Sequence, residues 1–354
     1  MGNVHLGWVA LGIFILFLAA GIVPVSAAEI TIDNTTPGGI SGAISQANNG
    51  DTIVLNPGTY FEHGIDVSKD ITIKASPANG GNATNTIIDG LNSGSIFQAR
   101  SIVEHGSWGW ITTRGVFLSI DNVTLRNGNS VTGGAIHSMG GPVTITSSVI
   151  THFQATGGGV IEADALAGER SASGPVTIIS STISDCKATG GGVVSADGGP
   201  VTVISSAITD CHATTGGAIE SHSHVYNPDM AAVNISSSRF VNCSATSGGA
   251  IYSRGGPVTV ENTTFMDSSA TRGSAITVTF NPFPGTSRLT VSNSTFVNNK
   301  AVRAMIYSLG ATVTVKNSAF ICSPGSRDPI EGDSSTITIV STTFVNCPGG
   351  RNTA

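Results

Sequence analysis

Asp185 and Asp210 stand 25 residues apart, and Asn242, Asp267, Asn298 and Asn346 continue the series at matching places in later segments. Two carboxylates brought side by side repel unless a cation sits between them, and calcium accepts oxygen ligands of this kind. A solvated column of Asp and Asn turns produces the same pattern without a metal. A second group is spread over three polar stretches: Glu162, Asp164 and Arg170 in one, His224 and Tyr226 in another, and Arg288 at the end of a third. If those stretches project from one edge, the six residues form a binding surface. His222 and His224 alternate and would share one side of an extended segment, which suits a metal, though two histidines without a fixed third ligand are more often plain loop residues. Acid–base work on a polysaccharide needs converging carboxylates, or calcium with a basic residue. Acids are sparse here, and Arg170 and Arg288 fall in different stretches.

The five cysteines follow a spacing of their own. Cys186, Cys211, Cys243 and Cys347 take one position of a repeat and Cys322 the position before it, with no close Cys-x-x-Cys pair. That excludes the usual zinc and redox motifs. Stacked in register, their Cβ atoms would lie about 4.8 Å apart, beyond the roughly 3.8 Å of a disulfide. Free buried thiols are therefore expected rather than disulfides between stacked segments.

All these residues depend on one repeat. Taking Val143 as position zero, the order Val143-Thr144-Ile145, Ser148, Ile150, Ala155, Gly158 returns from Val176, Val201, Val233, Val258 and Leu289, with partial copies at Leu118, Val313 and Ile337. The steps are 25, 33, 25, 32, 25, 31, 24 and 24 residues, so a unit of about 25 carries an insertion at every second step among the first six. The insertions are Glu162–Ser173, Glu220–Ala232 and Thr277–Arg288. Each unit holds short β-branched runs broken by Ser, Asn and Gly, which predicts one coil of short strands per unit. Coils stacked one on another satisfy each other's backbone.

Columns follow from that stacking. Positions zero and two are aliphatic and predicted to point inward. Position seven reads Ile150, Ile183, Ile208, Phe240, Phe265, Phe296, Phe320 and Phe344, another interior column. Position twelve is Ala from Ala155 to Ala301, a place where only a methyl is expected to fit, and position five is a Ser/Thr column read as an internal hydroxyl ladder. Position one is Thr in seven of nine copies, an outward ladder best explained by β-propensity because position three is mixed. Gly pairs near positions fifteen and sixteen allow a backbone bend.

Before Leu118 the pattern loosens. Ile40, Ala43, Ile44 and Ala47 have helical spacing, predicting a short helix over the open first coil. Strands are expected at Thr52–Leu55, Ile71–Lys74, Thr86–Ile88 and Val116–Ile120, and Gly90–Gly115 reads as a long excursion. The organisation is thus 1–28 targeting segment, 29–117 cap and irregular first rungs, 118–354 regular repeats. In the first segment an apolar run from Leu6 to Val25 ends in Ser26-Ala27-Ala28, which suits signal peptidase; left uncleaved, the same run could anchor the chain in a membrane. The net charge of −6, with no cluster of Lys and Arg, argues against nucleic acid as a partner.

Gly134-Ala135-Ile136, Gly217-Ala218-Ile219 and Gly249-Ala250-Ile251, with Phe296-Val297-Asn298-Asn299, resemble the two elements of the polymorphic outer membrane protein repeat, also similar to archaeal adhesin-like proteins. Gly50-Asp51-Thr52-Ile53-Val54-Leu55-Asn56-Pro57-Gly58 resembles the first coil of the wider pectate-lyase-like superfamily. Cys243, Ser268 and Cys347 depart from the motif's Asn. The resemblance implies an all-β, right-handed parallel β-helix of about 25 residues per rung and a surface role, commonly adhesion. The expected function is adhesive or structural and non-catalytic, in a secreted or cell-surface protein that meets surface glycans or proteins of other cells or matrix. A polysaccharide lyase or hydrolase, or a carbohydrate-binding module, is the alternative. No cofactor is expected other than calcium at Asp185 and Asp210.

Overall fold

The computed structural model describes residues 27–105, 111–166, 172–223, 228–280, 287–325 and 327–348. The apolar run from Leu6 to Val25 falls outside them. Among the described residues no helix is long and apolar enough to cross a membrane.

The repeat folds as predicted into short strands that stack by position. Three long parallel sheets run the length of the chain, two of 12 strands and one of 10. Sheet A collects the strands at position zero, Leu118–Asp121, Val143–Thr146, Val176–Ile179, Val201–Ile204 and onward. Sheet B collects those centred on position seven, such as Thr264–Met266. Sheet C collects the strands that follow the Gly-rich turns, such as Ile161–Asp164, Val194–Asp197, Ile219–His222 and Ile251–Arg254. Val143 faces Val176 and Val176 faces Val201, so each coil sits on the last in the register that the columns imply. This is a parallel β-helix.

The interior columns fill its core. Val143, Ile145, Val176, Ile178, Val201 and Val203 are wholly buried, as are Ile150, Ile183 and Ile208. Phe240, Phe265, Phe296, Phe320 and Phe344 form one stack, with successive centroids 5.1, 5.1, 4.5 and 5.3 Å apart. The rung repeat sets this face-on geometry. The Ser/Thr ladder is internal too, but it serves the backbone. Ser181 Oγ accepts the Ser148 N–H at 3.2 Å and donates to the Ile179 carbonyl at 2.8 Å, and Ser206 and Ser238 repeat the pattern. Amide groups turned into the core at the corner are thereby satisfied.

Two corners need left-handed backbone. Between sheets A and B it falls on Ser147, Ser180, Ser205, Ser237, Asn262 and Asn293, with φ of 50–51°. At the end of sheet B it falls on His152, Asp185, Asp210, Asn242, Asp267, Asn298 and Asn346. Asp and Asn tolerate that conformation best among non-glycine residues, which accounts for the position-nine column. A third corner relies on glycine: a Cβ on Gly217 would lie 1.9 Å from the Gly249 carbonyl oxygen of the next rung. Only hydrogen fits there.

At the N-terminal end the predicted helix, α1, spans Gly39–Gln46 and buries Ile40, Ala43 and Ile44 against the first strands. The Glu62 carboxylate accepts its Ile40 N–H at 2.8 Å, and Lys69 Nζ donates to the carbonyls of Ile44, Ser45 and Ala47 at its other end. Both ends thus receive the charge that their orphan backbone groups favour.

Three expectations are corrected. Gly90–Gly115 is not all excursion. Phe97–Ala99 is a sheet C strand between Ile65–Val67 and Ile136–Met139, with Phe97 buried, and Ser101–His105 and Ile111–Gly115 pair antiparallel. The position-twelve alanines are half-exposed rather than enclosed, because the chain turns outward between sheets B and C. Cys322 and Cys347 form a disulfide, while Cys186, Cys211 and Cys243 are free and buried. Phe320 faces Phe344, so Cys322 lies opposite Asn346 and the bonded pair is one residue out of register. That diagonal offset places the two Cα atoms 5.0 Å apart and removes the in-register geometric objection.

Candidate functional site on the outer face of sheet C

Strand alternation decides which side chains sheet C presents. In Ile161–Asp164 the buried residues are Ile161 and Ala163, so Glu162 and Asp164 face outward. The same alternation, repeated rung after rung, builds two outer columns. One runs His137, Glu162, Ser195, Glu220, Tyr252, Thr277, Tyr307, Glu331. The other runs Met139, Asp164, then Asp197, His222 and Arg254. Four carboxylates, two imidazoles and a guanidinium therefore share one face within five rungs.

Several of these groups hold one another. His137 Nε2 lies 2.7 Å from Asp164 Oδ2. His222 Nε2 lies 3.1 Å from Glu220 Oε1, and the Thr215 hydroxyl donates to the same oxygen at 2.5 Å. That hydrogen bond to Glu220 raises the His222 pKa above the ordinary imidazole value, against the opposing effect of burial. Glu162 folds back over its Gly-rich turn, where its carboxylate accepts the Gly158 N–H, and the Ser195 hydroxyl donates to its other oxygen at 3.4 Å. Thr277 caps the equivalent turn by accepting the Gly248 N–H at 3.0 Å. The first column thus has a local structural task as well as a chemical one.

Burial, and then the neighbouring Asp164, push the Glu162 carboxyl up to about 7. A carboxyl that binds its proton more tightly when folded favours the folded state below its unfolded value, near 4.5, and loses that contribution as pH rises through about 7. The melting temperature is accordingly expected to fall between about pH 5 and 8. Glu162→Gln should flatten that slope in thermal melts across the range; an unchanged slope would contradict this account.

Three of the six predicted loop residues fall among the described residues. Glu162 and Asp164 belong to the sheet C face, and Arg288 is exposed at the start of a sheet A strand. Arg170, His224 and Tyr226 lie outside the described residues. The insertions do leave from one corner, between sheets C and A, because each follows a sheet C strand and precedes a sheet A strand. Asp185 and Asp210 occupy adjacent rungs as predicted, since Ser184 faces Thr209. Asn242 Nδ2 donates to Asp210 Oδ1 at 2.7 Å, and Thr151 reaches Asp185 at 3.5 Å. Among the described residues no three His, Cys, Asp or Glu side chains converge in a way that could hold a metal ion. Sequence reasoning passed over His137, Asp197, Tyr252 and Arg254. Their signal was the two-residue alternation after each Gly-Ala-Ile or Gly-Val-Val element.

No curated protein sequence matches the chain. Among solved structures it is similar to a PL6 family alginate lyase at 13% identity and TM-score 0.49, over 88% of this chain but only 40% of that one. The catalytic unit of a thermostable GH87 α-1,3-glucanase from Streptomyces thermodiastaticus aligns at 13% identity and TM-score 0.39, over 89% and 69% of the two chains. An endo-xylogalacturonan hydrolase from Aspergillus tubingensis aligns at 12% and 0.33, over 91% and 99%. The family described as "right handed beta helix region" matches residues 110–344, and with its stacked parallel sheets the chain belongs to that family.

Proposed function

We propose that this chain is an exported β-helix that engages a glycan along the outer face of sheet C, serving adhesion or envelope assembly without altering the ligand. The observation behind this reading is the face itself: carboxylates, imidazoles, a guanidinium and the Tyr252 ring repeat at rung spacing on a rigid sheet. An extended sugar chain advances per residue about as far as one rung, roughly 4.8 Å, so successive sugars would meet equivalent positions. Ionised and neutral oxygen and nitrogen groups bond sugar hydroxyls, and an aromatic ring packs against a sugar face. Export follows from the apolar first segment and its Ser26-Ala27-Ala28 end. The partners are surface glycans of other cells or of matrix.

One observation favours a second reading, hydrolysis of the bound glycan. Glu162 retains a proton near neutral pH and has a second carboxyl, Asp164, two residues away on the same face. Glycoside hydrolysis uses such a pair, one protonated acid and one carboxylate. The fold does not choose, since one scaffold carries many activities.

Residues 29–354 applied to a glycan array, followed by a product assay on each retained glycan, separate the readings. Retention without product is expected, with affinity lowered at least about tenfold, or 1.4 kcal/mol, in His222→Ala. Product that vanishes in Glu162→Gln would replace adhesion with hydrolysis. Retention of no glycan at all would end both.

A further inference from the structure

Where the chain leaves sheet B, two columns flank a buried one. The first holds the left-handed residues His152, Asp185, Asp210 and Asn242. The second, two residues further on, holds Gln154, Lys187, His212 and Ser244, paired in that order across the rungs. Between them Phe153, Cys186, Cys211 and Cys243 are buried, so alternation turns both flanking columns outward. Six of these side chains, His152, Gln154, Asp185, Lys187, Asp210 and His212, line one cavity of about 510 Å³, within the roughly 300–1,000 Å³ of small-ligand sites. None of the six belongs to sheet C.

Part of this set is engaged, which fixes what is left for a ligand. His152 Nδ1 lies 2.9 Å from the Thr151 hydroxyl, and His212 Nδ1 lies 2.6 Å from Ser244 Oγ. Asn242 donates to Asp210 Oδ1, and Thr151 reaches Asp185 Oδ2. Asp185 Oδ1, Asp210 Oδ2, both Nε2 atoms and Lys187 Nζ make no hydrogen bond or ion pair with a described residue. The two carboxylates sit on adjacent rungs, about 4.8 Å apart along the axis, and outnumber the one ammonium of the cavity. Like charges at that spacing favour a cation between them. Among the described residues no third His, Cys, Asp or Glu joins them to hold a metal ion, and calcium takes about six to eight oxygens. A primary ammonium needs only three acceptors, which the two free carboxylate oxygens and His212 Nε2 supply when Nδ1 donates to Ser244. A quaternary amine, with no N–H to donate, would leave both oxygens unbonded. We infer that this cavity binds an amino sugar, its protonated primary amine held by Asp185 and Asp210 and its hydroxyls by Gln154, Lys187 and His152. From the rung of His152 to that of Asp210 is about 10 Å, the reach of about two sugar residues at one per rung. This site rests on its own lining residues and stands whether or not sheet C binds a glycan.

The test is calorimetric titration of the full exported chain with mono- to tetrasaccharides of glucosamine, in buffer that keeps the sugar amine protonated. Affinity is expected to rise to the disaccharide and then level off. N-acetylation, which removes the charge, should weaken binding at least about tenfold, as should Asp185→Asn or Asp210→Asn. Asparagine tolerates the left-handed backbone at both positions, so these variants keep the corner, and circular dichroism checks that they are folded. Lys187→Gln should not weaken binding, because a like charge is gone and glutamine still bonds hydroxyls. Cyclohexylamine, a ring amine without hydroxyls, should bind at least about tenfold more weakly than the disaccharide. Glu220→Gln on sheet C should change nothing. Equal affinity for the N-acetylated sugars, cyclohexylamine bound as tightly as the disaccharide, or no binding of any glucosamine oligomer would each overturn the inference. So would aspartate variants without effect, whether the loss appears instead in Lys187→Gln, in Glu220→Gln or nowhere.

Discussion

Phe265→Ala should cost about 3–5 kcal/mol, the range for truncating a buried aromatic side chain. Phe265 is wholly buried and sandwiched between Phe240 and Phe296, each 5.1 Å away by ring centroid, so its removal leaves a cavity that neither neighbour can fill without breaking its own contact on the far side. Rungs in a solenoid are coupled only to their neighbours, so amide exchange should rise mainly around Phe240 and Phe296. Phe344 has one stacking neighbour, Phe320, and is only partly buried in the last rung. Phe344→Ala is expected to cost less than half as much as Phe265→Ala in urea denaturation followed by circular dichroism. Equal costs would contradict the continuous ladder.

Cys322→Ser should loosen the C-terminal rungs by about 3 kcal/mol, from the entropy of a closed loop of this size. The bridge spans 25 residues and ties the final coil to the one below it. Among the described residues the strands Thr336–Val340 and Thr343–Val345 each pair with one neighbouring strand, and Ile337 and Phe344 are only partly buried. Among the described residues, inner rungs obtain backbone partners from both sides, whereas this one obtains them from one side and is tied covalently by the disulfide. Hydrogen exchange of peptides covering 330–345 should therefore quicken about 100-fold in Cys322→Ser, or in the wild type under reductant, with peptides from Val201 to Thr279 unchanged. Identical exchange in oxidised and reduced protein would show that the bridge contributes nothing.

These results locate what the sequence made legible. Interior columns were readable because a buried position admits few residue types, so Val143, Val176 and Val201, or Phe240 through Phe344, announce their own alignment. The Ala column was aligned correctly and misread, since a methyl in a tight interior and a methyl at a half-exposed turn look alike in sequence. The disulfide was missed because in-register stacking was the only geometry weighed, and Cys322 and Cys347 meet along a diagonal. The sheet C face was half seen. Glu162 and Asp164 were recognised as polar residues but assigned to an insertion. The strand containing them begins only one residue earlier, at Ile161, and the following insertion obscures its boundary. His137, Tyr252 and Arg254 belong to rungs without an insertion there, so nothing drew attention to them. An outer face tolerates many residue types and therefore leaves no column of identical letters.

The polar face also makes a net charge of −6 compatible with the proposed glycan recognition. Glu162, Asp164, Asp197 and Glu220 share the face with Arg254 and with His222, whose pKa the Glu220 hydrogen bond raises, so charge is mixed along the surface rather than massed. Mixed charge favours ligands rich in hydroxyls over polyanions such as nucleic acid.

His222 is the most direct reporter of that face, because its ring is held by Glu220, stands opposite Asp197 and Arg254, and lies 6.2 Å from the Tyr252 ring. Its imidazole titration can be followed by NMR, with the resonance assigned by difference from His222→Asn, in the absence and presence of a saturating glycan retained on the array. A bound sugar that displaces water from Glu220 and the ring must move the His222 pKa or its shift, and that change is the predicted result. An identical His222 titration with and without saturating glycan would place the ligand elsewhere and contradict the assignment of sheet C.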